Sequence, residues 1–448
     1  MTTPPAATPE EATSTLPPLK ARVVGSTIWS LGGYAAQQAL RFGNNLILAR
    51  LLIPEAFGLM TLTQVFITGL EMLSDVGVGP AIIQGAKGGD PRLLRTAWTV
   101  QVIRGMGLAI IAAGIAWPVS RIYAEPRLLA LLPVAALGMA MRGFTSTRLF
   151  TLNRAVNLKP LTILETGTQA FSVAVTILAA WKLRSVWALL IGSLAGIAAR
   201  VLFSHIALPG ERDRFGWDRE SSRELGKVGR WVFISTATTF LVGYLDKMTL
   251  GRLLSLTELG IYSTASFLAS AFPLIGRSVS GRVFFPMLSE TIRNDPGRLY
   301  PRLRKVRVVW AIPTCAILAF LALFGEPVVR ILYRGRFQEA GWMLRILAAG
   351  SIPAVVNQAT GVVWAALGEF RMITVLMIIQ VPLLLGCMLG GHTLAGLPGV
   401  VVGIALVELI MYPIQAILIF RRKLWQPELD LPLLAVAGVV VGLGWWLK

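Results

Sequence analysis

Charge is what this 448-residue sequence has least of: Asp, Glu, Lys and Arg together make up 15% of it, against about 25% in ordinary soluble domains. At about 150 residues per domain the length would suit three soluble domains, but so few charges could not keep their surfaces wet. Histidine is nearly absent. His205 and His392 are far apart and have no Cys neighbours, which excludes a metal site built on His and Cys. The two cysteines, Cys315 and Cys387, each lie in an apolar run and read as core filling, which excludes a disulfide scaffold. A Gly-rich phosphate loop of the Walker type is lacking, and with it an ATP site. No connection is long enough for a nucleotide-sugar domain, and strand-like alternation in blocks of about ten residues is missing, which excludes a membrane β-barrel. What is present is apolar: 55% hydrophobic residues and a mean hydropathy of +0.67. The solvent of this chain is lipid.

Acids are scarcer than bases, 23 against 42, for a net charge of +19. In a soluble protein that excess would point to nucleic acid; in a membrane protein it can reflect the enrichment of Lys and Arg on the cytoplasmic side. Residues 1–24, with Pro4, Pro5, Pro9, Pro17 and Pro18, read as a disordered cytoplasmic tail without the pattern of a signal peptide. Apolar stretches long enough to cross the bilayer as helices follow at 26–49, 57–83, 96–117, 128–148, 160–181, 185–208, 229–250, 258–288, 307–328, 341–367, 372–390, 397–420 and 430–447. With the N-terminus inside, 24 Lys and Arg fall on cytoplasmic connections and 10 on outside ones. This bias sets the orientation and accounts for much of the excess charge with no nucleic acid involved.

The chain matches itself at an offset of 202 residues. Arg50-Leu51-Leu52 with Gly58-Leu59 falls on Arg252-Leu253-Leu254 with Gly260-Ile261, Trp29 on Trp231, Phe42 on Tyr244, Asn44 on Asp246 and Gly79 on Gly281. The offset covers six spans, an even number, so both copies enter the membrane from the same side. The expected fold is therefore all-α and integral to the membrane, with 12–14 transmembrane helices (13 by this count) in two parallel six-helix lobes around a central cavity. The expected divisions are the tail (1–24), an N-lobe (25–208), a cytoplasmic linker (209–228), a C-lobe (229–420) and a cytoplasmic loop with a final helix (421–448).

One run, Leu48-Ala49-Arg50-Leu51-Leu52-Ile53-Pro54-Glu55-Ala56-Phe57-Gly58-Leu59, resembles a signature of polysaccharide transporters. So do Asp75-Val76-Gly77-Val78-Gly79 with Ala81-Ile82-Ile83-Gln84, Asp246-Lys247 before Leu250-Gly251-Arg252, Leu259-Gly260-Ile261-Tyr262-Ser263-Thr264-Ala265, and Phe285-Pro286-Met287-Leu288-Ser289. On these motifs, spread over about residues 25–425, the chain is similar to the Wzx-like flippases of the multidrug/oligosaccharidyl-lipid/polysaccharide exporter superfamily. The resemblance implies movement of undecaprenyl-pyrophosphate-linked oligosaccharide from the inner to the outer leaflet of a bacterial cytoplasmic membrane. It also implies membrane lipids, a polysaccharide polymerase and glycosyltransferases as neighbours. Members of the family mostly have 12 or 14 helices, so the count of 13 departs from the pattern.

Polar residues inside the spans fall on helical stripes. Gln37, Arg41, Asn44 and Asn45 share one face; so do Gln64, Thr68, Glu71 and Asp75; so do Thr162, Glu165, Gln169, Ser172 and Thr176; so do Glu408, Tyr412 and Gln415. Ser and Thr alone would serve as interhelical glue, whereas stripes with a full charge read as cavity walls. Eight cations lie within the spans, namely Arg41, Arg104, Arg142, Arg200, Lys247, Arg277, Arg282 and Arg345, against five acids, Glu71, Asp75, Glu165, Asp246 and Glu408. By depth Arg41 can pair with Glu71, and Lys247 with its neighbour Asp246. A positive interior disfavours a cation exporter and suits a pyrophosphate, which arginine binds with two prongs. The expected pyrophosphate ligands are Arg41, Arg104, Arg142, Arg200 and Arg277, with Arg277 reaching in across the lobe interface. Gln37, Asn44, Asn45, Gln64, Glu165 and Gln169 are the expected polar lining. Glu71, Asp75 and Glu408 are the candidates for H⁺ or Na⁺ coupling; no other cofactor and no enzymatic chemistry is expected. A lipid II flippase and a cation-coupled drug exporter are the alternatives.

Overall fold

A computed structural model describes residues 19–333 and 335–446. The tail expected over 1–24 lies outside the described residues as far as residue 18. From Leu19 onward the chain is already helical, because the good helix formers Leu19, Lys20, Ala21 and Arg22 follow Pro17-Pro18, which can flank a helix start but not continue one.

The described residues form helices joined by turns and short irregular links, with no strand among them. The first half contains α1 (Leu19–Leu51), α2 (Pro54–Leu73), α3 (Val78–Gln84), α4 (Pro91–Ile122), α5 (Leu128–Gly143), α6 (Arg148–Arg154), α7 (Leu158–Leu183) and α8 (Val186–Ile206). The second contains α9 (Arg219–Leu253), α10 (Leu256–Val279), a π turn (Ser280–Phe284), α11 (Phe285–Asn294), α12 (Leu299–Leu332), α13 (Ala340–Ala366), α14 (Phe370–Arg421) and α15 (Pro427–Trp446). The connector between the halves is irregular only over 207–218; the rest of the expected linker is the start of α9.

Eight of the described helices are long and apolar enough to cross a membrane, or nine if the bent pair α5–α6 forms one span. The protein is an all-helical, multi-pass membrane protein. α1 and α9 are absent from those eight because their faces carry too many polar residues, and the 52 residues of α14 count as one. α14 is in fact two helices folded back on each other. Ala395 (φ −145°) and Gly396 (φ +59°) break the ladder, and glycine alone takes the second conformation without strain. The halves lie so close that a Cβ on Gly391 would fall 2.1 Å from the Gly399 carbonyl oxygen, and one on Gly403 would fall 2.2 Å from that of Cys387.

Two expected spans are not continuous. The stretch 57–83 breaks after Leu73: Gly77 is left-handed (φ +69°), its N–H bonds to Asp75 Oδ1 (3.0 Å), and α3 starts afresh. The stretch 258–288 contains the π turn. The two irregularities fall near matching positions of the repeat.

The repeat has a direct structural counterpart. α2 and α10 run side by side, and residues 202 apart meet each other. The Thr61 hydroxyl hydrogen-bonds to that of Ser263 (3.0 Å). A Cβ on Gly58 would lie 1.9 Å from the Leu256 carbonyl oxygen, and one on Gly260 the same distance from that of Pro54. The two helices are parallel over this contact. Further contacts join the halves at the same end: Tyr333 donates to Asn45 Oδ1 (2.5 Å), Tyr123 donates to the Met248 carbonyl (3.1 Å), and Phe57 meets Phe337 edge-on at 5.4 Å. At the far end of the chain, α15 is fixed to α12 by the buried pair Arg307–Asp430, which Gln426 and Tyr412 complete. Breaking one partner of such a pair costs about 3–5 kcal/mol, because the other charge stays buried.

Candidate functional site

A cavity of about 980 Å³ opens within the first half of the molecule. α1, α2, α3, α4, α5, α6, α7 and α8 supply its walls, and among the described residues Thr236 of α9 is the one lining residue from the second half. Part of its polar lining comes from the stripes of the sequence and part from isolated arginines within the spans. Gln37 and Arg41 project from α1, Glu71 and Asp75 from the end of α2, Glu165 and Gln169 from α7, and Arg200 from α8. Arg104 and Arg142 join them from α4 and α5. Small residues let the walls close behind them: Gly105 and Gly143 bring α4 and α5 so near that a Cβ on the first would fall 2.9 Å from the Cα of the second.

The charges in the cavity are four arginines and three acids. Arg142 Nη1 donates to both oxygens of Glu71 (3.0 and 2.7 Å), and Arg200 pairs with Glu165 (3.1 Å). The pairing of Arg41 with Glu71 considered from depth alone is thus replaced by Arg142–Glu71, since α5 brings Arg142 to the α2 terminus. Arg104 donates to the Glu71 carbonyl oxygen (2.5 Å) and to Ser74 Oγ (3.1 Å). It caps the carbonyl end of α2, where the helix leaves acceptors unpaired. Asp75 is spent on the Gly77 turn. Arg41 meets only Gln38 Oε1, at 3.4 Å, among the described residues. Two cavity arginines, Arg41 and Arg104, therefore have no carboxylate within 4.0 Å among the described residues. An unpaired arginine at the bilayer centre costs at least about 2.5–3.5 kcal/mol unless water or an anion receives it.

The other predicted residues lie elsewhere. Arg277 is exposed near the end of α10 and is not among the residues that line the cavity, whose walls come almost wholly from the first half. Asn45 accepts from Tyr333 in the contact between halves, and the neighbouring Asn44 Oδ1 is buried without a partner. Gln64 is exposed and donates to Thr68 Oγ1 (2.9 Å). Glu408 sits in the second half, where its two oxygens accept from Asn357 Nδ2 and Gln380 Nε2 (2.8 Å each). No cation lies within 4.0 Å of it among the described residues. Lys247 pairs with Asp246 (3.0 Å), as their adjacency suggests. Arg345 pairs with Glu326 (2.8 Å), a sixth acid within the spans that the charge count above leaves out. The side chain of Arg282 lies outside the described residues.

Sequence patterning missed Gln101, whose amide donates to the carbonyls of Arg142, Gly143 and Thr145 and so holds the end of α5 against the cavity. A lone Gln on a span without a polar stripe gave no signal.

Comparison with known proteins places this geometry. The family profile described as polysaccharide biosynthesis protein matches residues 47–341. The chain belongs to that family. It is 21% identical over 397 residues to the lipopolysaccharide biosynthesis protein WzxC of Escherichia coli, covering 88% of this chain and 80% of that one. To the amylovoran biosynthesis protein AmsL of Erwinia amylovora it is 24% identical over 275 residues, covering 59% and 71%. To the succinoglycan biosynthesis transport protein ExoT of Rhizobium meliloti it is 20% identical, covering 74% and 67%. Among solved structures, the fold matches the lipid II flippase MurJ in an inward closed conformation, with a TM-score of 0.71 at 13% identity, covering 92% of this chain and 91% of that one. It matches a multidrug resistance MATE transporter in its inward-facing conformation at 0.69 and 15% identity, covering 87% and 94%, and an outward-facing one at 0.57. The protein is thus a membrane transporter of polysaccharide biosynthesis and not an enzyme.

Proposed function

We propose that this transporter flips an undecaprenyl-pyrophosphate-linked oligosaccharide from the cytoplasmic to the periplasmic leaflet by alternating access, for assembly of a surface polysaccharide. The observation that carries the reading is the cavity's charge: four arginines against three acids, two of the arginines without a carboxylate partner. A diphosphate supplies the missing anion, and guanidinium groups bind it with two prongs. Arg41 and Arg104 would hold it first, with Arg142 and Arg200 recruited from their acids. Gln37 and Gln169 would face the sugars, and the polyprenyl chain would remain in lipid. Arg277, Asn44, Asn45 and Gln64 have no place in this site.

The reading includes thirteen spans in two parallel lobes, with the N-terminus and the 207–218 connector cytoplasmic. The contacts at the 202-residue offset support the lobes, and the distribution of Lys and Arg supports the orientation. The halves touch at the end where α2 and α10 begin, and also at the opposite end, where Thr236 donates to the Met72 carbonyl (2.7 Å) and Lys87 pairs with Glu220 (2.6 Å). Of the three coupling candidates Glu408 fits best, since Glu71 is matched by Arg142 and Asp75 by a turn. Glu408 has only amide partners within reach, so an H⁺ or Na⁺ would complete it. The lipid-linked glycan would be handed between glycosyltransferases and a polymerase on opposite faces. A drug-cation exporter would need an acid-dominated cavity instead.

Deleting the gene and analysing polyprenyl-linked glycans tests this reading. An oligosaccharide-diphosphate lipid should accumulate on the cytoplasmic side and clear on complementation. No accumulation, or accumulation of lipid II, would refute the proposed substrate.

A further inference from the structure

The connector between the lobes reads in sequence as a charge-balanced stretch, Glu211-Arg212-Asp213-Arg214-Phe215-Gly216-Trp217-Asp218-Arg219. The structure separates its charges. Asp213 turns inward: its side chain is 1% exposed, and it accepts from Ser146 Oγ (2.5 Å), Thr147 Oγ1 (2.6 Å) and the Thr147 N–H (3.1 Å), with His205 Nδ1 at 3.4 Å. Asp218 is spent as the N-cap of α9, accepting from the Ser221 N–H (2.8 Å). The backbone is fastened along the whole connector. Arg148 donates to the carbonyls of His205, Leu208 and Glu211, the Gly216 N–H bonds to Thr99 Oγ1, and the Asp218 N–H bonds to Thr96 Oγ1.

What remains on the outer face is cationic and aromatic. Phe215 is 64% exposed and Trp217 60%. Arg212 and Arg214 are exposed, and each lacks a carboxylate within 4.0 Å among the described residues. Arg95, also exposed, lays its stem over Gly216, at 3.1 Å from where a Cβ would stand. Glu211 is the one exposed acid left in the stretch without an ion pair, since Glu220 beyond it pairs with Lys87 (2.6 Å). The depth of this face is fixed by Thr96 and Thr99. They lie in the first turns of α4, where the sequence passes from Arg92 and Arg95 into its apolar run. If α4 crosses the bilayer as proposed, that is the level of the headgroups, where Trp and Arg side chains are each at home.

We propose that residues 212–217 form a rigid docking site for anionic phospholipid headgroups, which ties the inter-lobe connector to the membrane surface. The arginines meet the lipid phosphates while Phe215 and Trp217 enter the acyl boundary. An acidic protein would match the arginines but not two exposed rings at the edge of the apolar zone. The site is independent of the transported substrate.

The test uses the full chain purified in an uncharged detergent, with phosphatidylglycerol titrated in and binding read from the saturable rise in melting temperature. Each cation at an anionic surface is worth about 1 kcal/mol, a factor of about five. Arg212→Gln with Arg214→Gln should therefore weaken phosphatidylglycerol binding by about 30-fold while the lipid-free melting temperature stays unchanged, as neither side chain holds the fold. Trp217→Ser should weaken it as well, which a purely electrostatic site would not show. Phosphatidylcholine, inorganic phosphate and glycerol 1-phosphate should give no saturable shift. Unchanged binding in the double arginine variant would overturn the proposal. So would an equal response to inorganic phosphate, which would make this a free-anion site, or selective capture of an acidic protein in place of lipid.

Discussion

Two glycines in the middle of helices should respond to alanine with opposite signs. A Cβ on Gly58 would lie 1.9 Å from the Leu256 carbonyl oxygen, whereas real Cβ atoms essentially never come within 3.0 Å. α2 and α10 must part by about 1 Å in a packed interface that does not yield cheaply. Overpacking of this kind costs about 1–3 kcal/mol, and the helix-propensity gain of up to about 1 kcal/mol offsets only part of it. Gly58→Ala should thus lose about 1–2 kcal/mol. Gly243, inside α9, has nothing within 4 Å of its Cβ position, so Gly243→Ala should gain about 0.5–1 kcal/mol. Gly260→Ala should behave like Gly58→Ala. Because one separation relieves both clashes, Gly58→Ala with Gly260→Ala should cost less than the sum of the singles. Unfolding in mixed micelles with increasing dodecyl sulfate, followed by tryptophan fluorescence, measures all four. Wild-type stability in Gly58→Ala, or strict additivity in the double variant, would refute the close approach of α2 and α10.

Other expectations follow from single contacts. For topology, a cysteine at Asn294 should be protected from impermeant thiol reagents in intact cells and one at Gln338 should label; labelling at 294 reverses the orientation. Ser221 is a poor probe, being a buried N-terminal residue of α9. In the α4–α5 turn, the Arg127 side chain hydrogen-bonds Glu125 and holds its carboxyl below the usual carboxylate range. Such a group stabilises the fold above its unfolded value, about 4.3, and that contribution fades as pH falls through the lower folded value. Glu125→Gln should therefore flatten the loss of stability between about pH 5 and 3, and an unchanged acid limb would show that the contact contributes nothing. Asp430→Ala should cost about 3–5 kcal/mol by stranding Arg307; a loss below about 1 kcal/mol would mean that the pair is hydrated.

Much of this architecture was legible from the sequence, for physical reasons. Lipid demands long apolar runs, so helix positions emerge from composition, and the repeat shows through because Gly58 and Gly260 sit where no side chain fits. Part of the cavity's polar wall was legible because Arg41, Glu71 and Glu165 fall on stripes of helical spacing, whereas Arg200 stood out only as a charge within a span. Pairing was not legible. Glu71 lies within range of more than one arginine by depth, and only the packing of α5 on α2 selects Arg142. The broken spans were hidden as well, since hydropathy runs straight through Gly77 and Ser280. That the cavity's walls come almost wholly from the first half, leaving Arg277 outside them, depends on tertiary packing that periodicity does not encode. The outward face of the connector was invisible for a different reason: its charges balance in one dimension and separate in three.

The most direct test of the account concerns Arg41, the cavity arginine with the weakest tie to the fold. Arg104 caps α2, so its removal mixes structural and functional loss, but among the described residues Arg41 hydrogen-bonds only to Gln38. The measurement is the translocation rate of an undecaprenyl-pyrophosphate-linked oligosaccharide in proteoliposomes for the wild type, Arg41→Lys and Arg41→Ala. The account predicts a near-complete loss in Arg41→Ala with unchanged melting temperature, and only partial recovery in Arg41→Lys, where a point charge replaces a two-pronged donor. A wild-type rate in Arg41→Ala would contradict the claim that this cavity holds the diphosphate.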